Sequence, residues 1–513
     1  MEARLSKIEQ QDASSSSENE LSPRDLIHSL VVAGAVVAGA LASGWPERPI
    51  QWLLLVVAAI LGGLAPHTRL IVRIRLRGLK VLRPVRPYRL RLVLLGILAL
   101  VVAAGSGRLL VAATEFGELV ILSGADYGLG GQRQALIDQW NSLPDRPHAR
   151  IVSVPGNADD QHGAMLDAAQ RGGRGVDIYN LDNPFMAEFV DAGYLRALDS
   201  IKLDLNAFLR GPLETCRRHS KWWGLPLNTD AGLLFYRNDL IGGDPAFRNW
   251  ADLTTAVEEV FAHEQVLAGA GLNHRELEAG YVGQFASYEG LTVNTLEAIW
   301  AAGGEVVDAK GNLVIDDPEM RPKVQAALDS LVAGLSGRHP RVILPPADSY
   351  AESSATQAFR DGRAIFLRNW PIAYFELTRP PGMAKPFAVT ELPGPSVLGG
   401  QNLAVAAHSD QPQAALELIR FLTSDFSQRL LFERGGFAPT RVSVFADTNL
   451  GQRYPYLRTL RLAVERARPR PQTPYYARFS EKFRTGILYA LQNNGKLPDQ
   501  FATDLEAVLR DGS

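Results

Sequence analysis

Apolar and polar positions divide the chain into two textures. Three long apolar stretches fall in the first hundred or so residues, at about Ile27–Trp45, Pro49–Pro66 and Leu92–Gly107. A bilayer core about 30 Å thick needs roughly 17–25 helical residues, so the first two stretches have spanning length and the third is slightly short. From Glu118 onward short β-branched or apolar runs alternate with longer amphipathic stretches. The runs are Leu119–Leu122, Ala149–Val154, Val176–Leu181, Leu233–Tyr236, Ala364–Leu367 and Leu403–Ala407, each read as a strand. In the stretch Gln132–Asn141, Ala135, Leu136, Gln139 and Trp140 fall on one side of a helix. Such alternation predicts α/β units with mostly parallel sheets. About 400 residues exceed what a single core holds, so at least two lobes are expected.

Charge orients the first part. The segment His67–Arg91 carries nine Lys or Arg residues and no acid. By the positive-inside rule this loop stays in the cytoplasm. The expected layout is a polar cytoplasmic tail at 1–25, a three-helix transmembrane anchor at 26–113 with its basic loop at 67–91, and an extracytoplasmic domain at 114–513. The chain is then a multi-pass protein of a bacterial cell membrane with its N-terminus inside. Up to Ala113 the charge balance is +7, and over the remainder it is −9. An acidic main body argues against nucleic acid as a partner, because phosphate binding needs a positive field.

Several chemistries find no motif. Cys216 is the single cysteine, which rules out an internal disulfide framework and four-cysteine zinc sites. GxSxG, HExxH and GxxxxGK[ST] are absent, and the nine histidines do not cluster at metal spacing. Asp159, Asp160 and His162 are close in sequence, but a polar helix start accounts for them. The expectation is therefore no catalytic residue, no metal and no cofactor. A glycosidase needs only two suitably spaced carboxylates, so an extracytoplasmic carbohydrate-active enzyme stays as a third functional reading.

Seven segments in the 118–490 region together carry a resemblance. They are Val176–Asp182 with Ala192–Asp199; Gly224–Gly232 running into Phe235–Leu240; Tyr288–Leu291 with Gly303-Gly304; Phe366–Pro371; Leu398–Val405; Pro439–Arg441; and Arg468–Tyr476. In this order they resemble the extracellular solute-binding proteins of bacterial ABC importers, in the sugar-binding branch that includes trehalose- and maltose-binding proteins. The resemblance implies an α/β, two-lobed periplasmic-binding-protein fold of type II-like form with hinge crossings, here preceded by three transmembrane helices. It implies crossings near Pro226, Phe366 and Gly400. Lobe one would hold about 119–226 and 367–399, and lobe two 227–366 and 400–513. It also implies a non-enzymatic role: capture of a small polar solute, a carbohydrate, by lobe closure, and delivery to an ABC permease with its ATPase. The alternative is a ligand-sensing receptor that signals to a separate cytoplasmic partner.

Candidate contacts follow from sugar chemistry, which needs planar polar groups for hydroxyls and aromatic faces for C–H surfaces. Asp182 ends a strand, where open α/β sheets bind ligands, although it also suits a helix cap before Pro184. Asn228 and Asp230 lie beside a crossing and also read as a turn. Trp370 is the stacking candidate, or else a packing tryptophan. Arg441 offers a bidentate fork, or sits in an exposed loop. Tyr288 and Glu289 are further candidates, with Glu289 equally suited to begin a helix; Asp126 follows the first strand. Relatives commonly carry tryptophan where this chain has Gly283 and Gln401, which leaves two readings: Gln401 and Asn402 hydrogen-bond a more polar ligand, or the cleft no longer serves a small molecule.

Overall fold

The computed structural model describes residues 117–126, 128, 130–198, 203–271, 276–336 and 340–513. The expected tail, the three apolar spans, the basic loop and their orientation all lie outside these residues. No helix among the described residues is long and apolar enough to cross a membrane.

Strands form where the β-branched runs stand. They are β1 (Leu119–Gly124), β2 (Ala149–Val154), β3 (Ile178–Asp182), β4 (Arg217–Arg218), β5 (Lys221–Trp222), β6 (Leu225–Pro226), β7 (Asp230–Ala231), β8 (Leu233–Tyr236), β9 (Ala279–Val282), β10 (Ala364–Asn369), β11 (Ala388–Glu391), β12 (Leu398–Gly399) and β13 (Gln401–Val405). One sheet has the order β2-β1-β3-β13-β6, and a second has the order β11-β8-β10-β9. Alternation places successive side chains on opposite faces. In the first sheet Leu119, Ile121, Ile178 and Leu403 pack on one side, and Leu122, Tyr179, Leu181 and Ala404 on the other. In the second, Leu234 and Tyr236 enter one core while Leu233 and Phe235 enter another. The inner strands of each sheet are thus buried on both faces, which is why they read as near-continuous apolar runs, while the edge strands β2 and β11 are partly exposed.

The sheets are not mostly parallel. Pairs β1–β2, β1–β3 and β9–β10 are parallel, but β13 runs antiparallel to both β3 and β6, and β8 runs antiparallel to both β10 and β11. The cause is the way the chain returns between lobes. It leaves the first sheet after β6 and meets β12 in an antiparallel ribbon, with Gly399 opposite Asp230. It then re-enters the first sheet as β13.

This path corrects the expected partition. β10 is buried at every residue and lies between β8 and β9, with Phe366 facing Tyr236 and Tyr281. No crossing occurs at Phe366, so 367–399 stays in the second lobe. Residues 401–405 belong to the first sheet. The helices Pro412–Leu422 and Asp425–Gly435 follow it, with Leu416, Ile419 and Leu431 in the first lobe's core. The third approach is at 438–440, where Thr229 N–H donates to the Ala438 carbonyl at 3.0 Å and Leu209 N–H to the Thr440 carbonyl at 2.8 Å. Beyond it the helix Tyr476–Gln492 buries Phe479, Phe483 and Ile487 in the second lobe's core.

Helix Gln132–Asn141 forms as its spacing predicts, but its buried face is Gln132, Arg133, Leu136, Ile137 and Trp140. Gln139 is exposed. Asn157 caps the helix Ala158–Gln170 in a reciprocal box with Asp160, while Asp159 pairs with Arg484 at 3.2 Å and His162 with Glu188 at 2.5 Å.

Gly400 sets the closeness of the crossing strands. Its φ is +115°, and a Cβ there would lie 2.4 Å from the Asn228 carbonyl oxygen and 2.6 Å from Thr229 Cα. Gly400→Ala is therefore expected to cost about 1–3 kcal/mol in urea unfolding. The control is Gly451→Ala, within the helix Thr448–Arg453 and with open space at its Cβ position. It should be neutral or stabilising by up to about 1 kcal/mol.

Candidate functional site

The C-terminal ends of β1 and β3 turn polar where the first sheet meets the second lobe. Ser123 Oγ accepts from Arg133 Nη1 at 3.0 Å and from Asn180 Nδ2 at 2.9 Å, and donates to the Gly124 carbonyl at 3.1 Å. Arg133 reaches this point because it continues the apolar stripe of its helix. Its guanidinium lies 4.9 Å from the Phe437 ring centroid. Burial lowers its pKa, with Asp126 and Asp230 acting against that shift. Asp126 accepts from Gly128 N–H at 2.9 Å and from Gln132 Nε2 at 2.6 Å.

Asp182 closes β3 opposite Gln401. Its carboxylate accepts the Asn183 N–H at 3.1 Å, beginning the short turn Asn183–Phe185, so the capping role is real. It also faces Arg470 Nη2 at 3.4 Å. Burial raises its pKa, and Arg470 opposes the shift. Arg470 in turn pairs with Glu289 at 2.8 Å, and Glu289 also accepts from the Tyr476 hydroxyl and, at 2.6 Å, from Ser480 Oγ.

Asp230, on the hinge ribbon, is the centre of the arrangement. The residue is half-buried; desolvation pushes its pKa up to about 8, Asp182 adds to the shift, and Arg368, Arg133 and Arg470 act against it. Asn228 donates to it at 3.2 Å. Arg368 pairs with Glu297 through two bonds of 2.8 and 2.7 Å. The Arg368 guanidinium lies 4.0 Å from the Trp370 ring centroid, and Trp370 Nε1 donates to Glu352 at 3.4 Å.

The structure thus brings together Asp126, Asp182, Asn228, Asp230, Gln401 and, from the second lobe, Trp370 and Glu289. Two expected residues stand apart, and a third, Tyr288, is committed to Glu352 beside Trp370. Arg441 donates to the Thr423 carbonyl at 2.7 Å and lies 4.2 Å from the Phe208 ring centroid, away from Asp182 and Asp230. Asn402 is buried against Thr215, on the opposite face of β13 from Gln401. The Tyr288 hydroxyl is spent on Glu352 at 2.6 Å. Among the residues not anticipated, Arg133, Arg368, Arg470 and Tyr456 matter most. Tyr456 is buried, its hydroxyl lacks a partner, and Asp230 helps raise its pKa after burial and two neighbouring tyrosines. Arg133 alone left a signal, as a charge on the apolar side of a helix. A cavity of about 440 Å³ lies elsewhere, walled by Met186, Val190 and Cys216 on one side and Ala467 and Pro469 on the other. It holds none of the expected contacts. No group of three or more metal-ligating side chains occurs among the described residues.

Comparison with known proteins gives consistent matches. The family described as bacterial extracellular solute-binding protein matches residues 145–459. A Deinococcus radiodurans protein named as a probable ABC transporter-binding protein is 30% identical over 300 residues, 56% of this chain and 67% of the relative. The maltose-bound MalE3 of T. maritima superposes with a TM-score of 0.67 at 27% identity, covering 77% of this chain and 99% of that one. A solute binding protein of Thermotoga lettingae bound with α-D-tagatose gives a TM-score of 0.65 at 20% identity, covering 77% and 100%, and shows the fold alone.

Asp230 makes a pH-dependent claim. An unfolded aspartate titrates near 3.9, so between about pH 4 and pH 8 the folded state keeps a proton that the unfolded chain has lost. Stability from this group therefore falls as pH rises through that window and levels off above it. Asp230→Asn should raise Tm at pH 8 by about 2 °C or more, with the gain fading towards pH 4.5. Equal gains at the two pH values would refute the assignment.

Proposed function

The chain belongs to the bacterial extracellular solute-binding protein family, and from that premise we propose that its lobes close on a small polar solute, a carbohydrate, and deliver it to an ABC permease. The observation that carries this reading is the convergence on Asp230. Asp182 and Arg133 come from the first lobe, Asp230 from the hinge ribbon, and Arg368 and Arg470 from the second lobe. A solute in that position touches both lobes, so it favours the closed arrangement differentially. The polar groups there reward a ligand that replaces their water and penalise one that does not. The maltose held by the T. maritima relative supports the choice of carbohydrate.

The proposal includes a tether. The apolar stretches at about 27–45, 49–66 and 92–107, with the basic segment 67–91, support three spans that hold the solute-binding domain outside the cytoplasm. Tethering raises the local concentration beside a permease without any new contact. A reporter fused after Ser513 that is active only outside the cytoplasm should be active; activity of a cytoplasm-only reporter would overturn the layout.

Binding has a direct test in a thermal-shift screen of the purified full chain in detergent against mono- and disaccharides, with amino acids as controls. A solute at one hundred times its Kd stabilises the folded state by about 2.7 kcal/mol. At least one saccharide should raise Tm, and Asp182→Ala should abolish that shift. Stabilisation by amino acids alone would overturn the carbohydrate assignment.

A further inference from the structure

We infer that the cavity behind the hinge is a second small-molecule site, for a carboxylate with an apolar body, and that its occupation tightens the front cleft. The coupling rests on the proposed capture role; the site itself does not.

The walls determine the body of the ligand. The cavity encloses about 440 Å³, within the roughly 300–1,000 Å³ typical of small-molecule sites. Met186, Val190 and Leu398 line it together with Ala467 and Pro469. Cys216 adds to this apolar wall, because burial pushes its thiol up and keeps it neutral. Thr215 has nothing to spare: its hydroxyl donates to the Pro212 carbonyl at 2.6 Å and accepts from Asn402 at 2.9 Å. An apolar body is therefore received, and a polyhydroxy one would lose its water without replacement.

Charge selects the head group. Arg217 lies 3.6 Å from Glu214, with its guanidinium 5.5 Å from the Trp222 ring centroid. Arg218 pairs with Asp191 at 2.6 Å, and Glu465 with Arg461 at 2.8 Å. Arg210 completes the charged lining, and among the described residues it makes no hydrogen bond, ion pair or ring contact. A carboxylate gains a two-pronged partner there, whereas an ammonium meets only acids that are already paired.

Position supplies the coupling. The helix Met186–Asp191 belongs to the first lobe, residues 465–472 to the second, and Leu398 to the hinge ribbon between them. Pro469 and Gln472 line the cavity, while Arg470 between them reaches Asp182 at 3.4 Å on the front side. Arg484 and Asp159, 3.2 Å apart, also join the lobes. The front contacts are thus made while the rear stands this wide. Opening the front about the ribbon brings 465–472 towards Met186–Asp191 and narrows the rear. An occupant of the rear cavity then favours the arrangement in which the front is closed. By linkage, a solute in the front favours that occupant by the same factor.

The test is calorimetric titration of the purified full chain in detergent with 3-phenylpropionate, and with 3-phenylpropanol and 3-phenylpropylamine as its neutral and cationic counterparts. The acid should bind about tenfold or more tightly than either counterpart. Arg210→Gln should remove that preference, and Ala467→Trp, which fills the space from the second-lobe wall, should abolish binding. Arg210 is exposed, so its variant is expected to keep the Tm of the unaltered chain. No binding of the acid, equal binding of the alcohol or amine, or heat unchanged in both variants would overturn the site, the last because it reports uptake by the detergent. Coupling is read by titrating the best saccharide with and without saturating 3-phenylpropionate. Its affinity should rise about fivefold or more; an unchanged or weakened affinity overturns the coupling. If 3-phenylpropionate binds as expected and no saccharide does, the capture role fails and the coupling with it, while the second site stands.

Discussion

The buried guanidinium of Arg470 bridges the two lobes, beside an ion pair of Arg484 with Asp159 and the packing of Phe185 against Tyr476. It comes from the second lobe, pairs with Glu289 at the start of a second-lobe helix, and reaches Asp182 and Asn183 at the end of β3 in the first. A charge so enclosed is tolerable only when paired and hydrogen-bonded, since its desolvation would otherwise exceed any gain. Glu289 meets that demand and is itself satisfied by Tyr476 and Ser480. Asp182 is the weaker partner, at 3.4 Å and with its pKa raised by burial. The brace is therefore strong within the second lobe and loose across the gap.

The hinge applies the same economy to the backbone. In β12, Leu398 lines the rear cavity while Gly399 lies against Asp230 and Trp370. Alternation along one short strand thus separates the front of the crossing from its back. Gly400 then brings the returning strand against Asn228 and Thr229 more closely than any side chain would allow. Asp230 is half-buried beside this close approach. Its raised pKa follows from the same geometry that places it between the lobes.

Much of this was legible one segment at a time. The six runs all became strands: β1, β8 and β10 because every position is buried, and the edge strand β2 although it exposes Arg150 and Ser153. Which sheet each strand joins is a non-local matter, and there the pattern was silent: β10 reads alike whether it crosses or stays. Assigning 401–405 to the second lobe failed because the pairing of β13 with β3 spans more than two hundred residues of chain. Site residues divide in the same way. Asp182 was visible because it ends a strand, and Asp230 because it neighbours a crossing. Gln401 and Asn402 are adjacent and equally polar, yet alternation sends Asn402 to Thr215 and leaves Gln401 unpartnered. Arg441 looked like Arg470 in sequence; only packing puts one beside Phe208 and the other beside Asp182.

The polar groups are also unequally prepared for a ligand. In the first lobe Ser123, Asn180 and Arg133 are locked to one another, and Gln132 to Asp126. Their geometry needs nothing from the second lobe. Across the gap, Arg368 is fixed by Glu297, which also accepts the Val397 N–H at 3.0 Å beside the hinge strand. Some unpaired buried atoms, such as Thr295 Oγ1 and Arg360 Nε, lie within a single lobe, while those of Asn228, Gln401 and Tyr456 lie beside the crossing strands. While the lobes stand apart, water can pair those atoms at little cost. Closing expels that water and leaves each acceptor with a penalty that only an arriving donor removes. In the proposed capture role, solute recognition and lobe closure would be one event, because the groups that choose the solute would be those that closing strands.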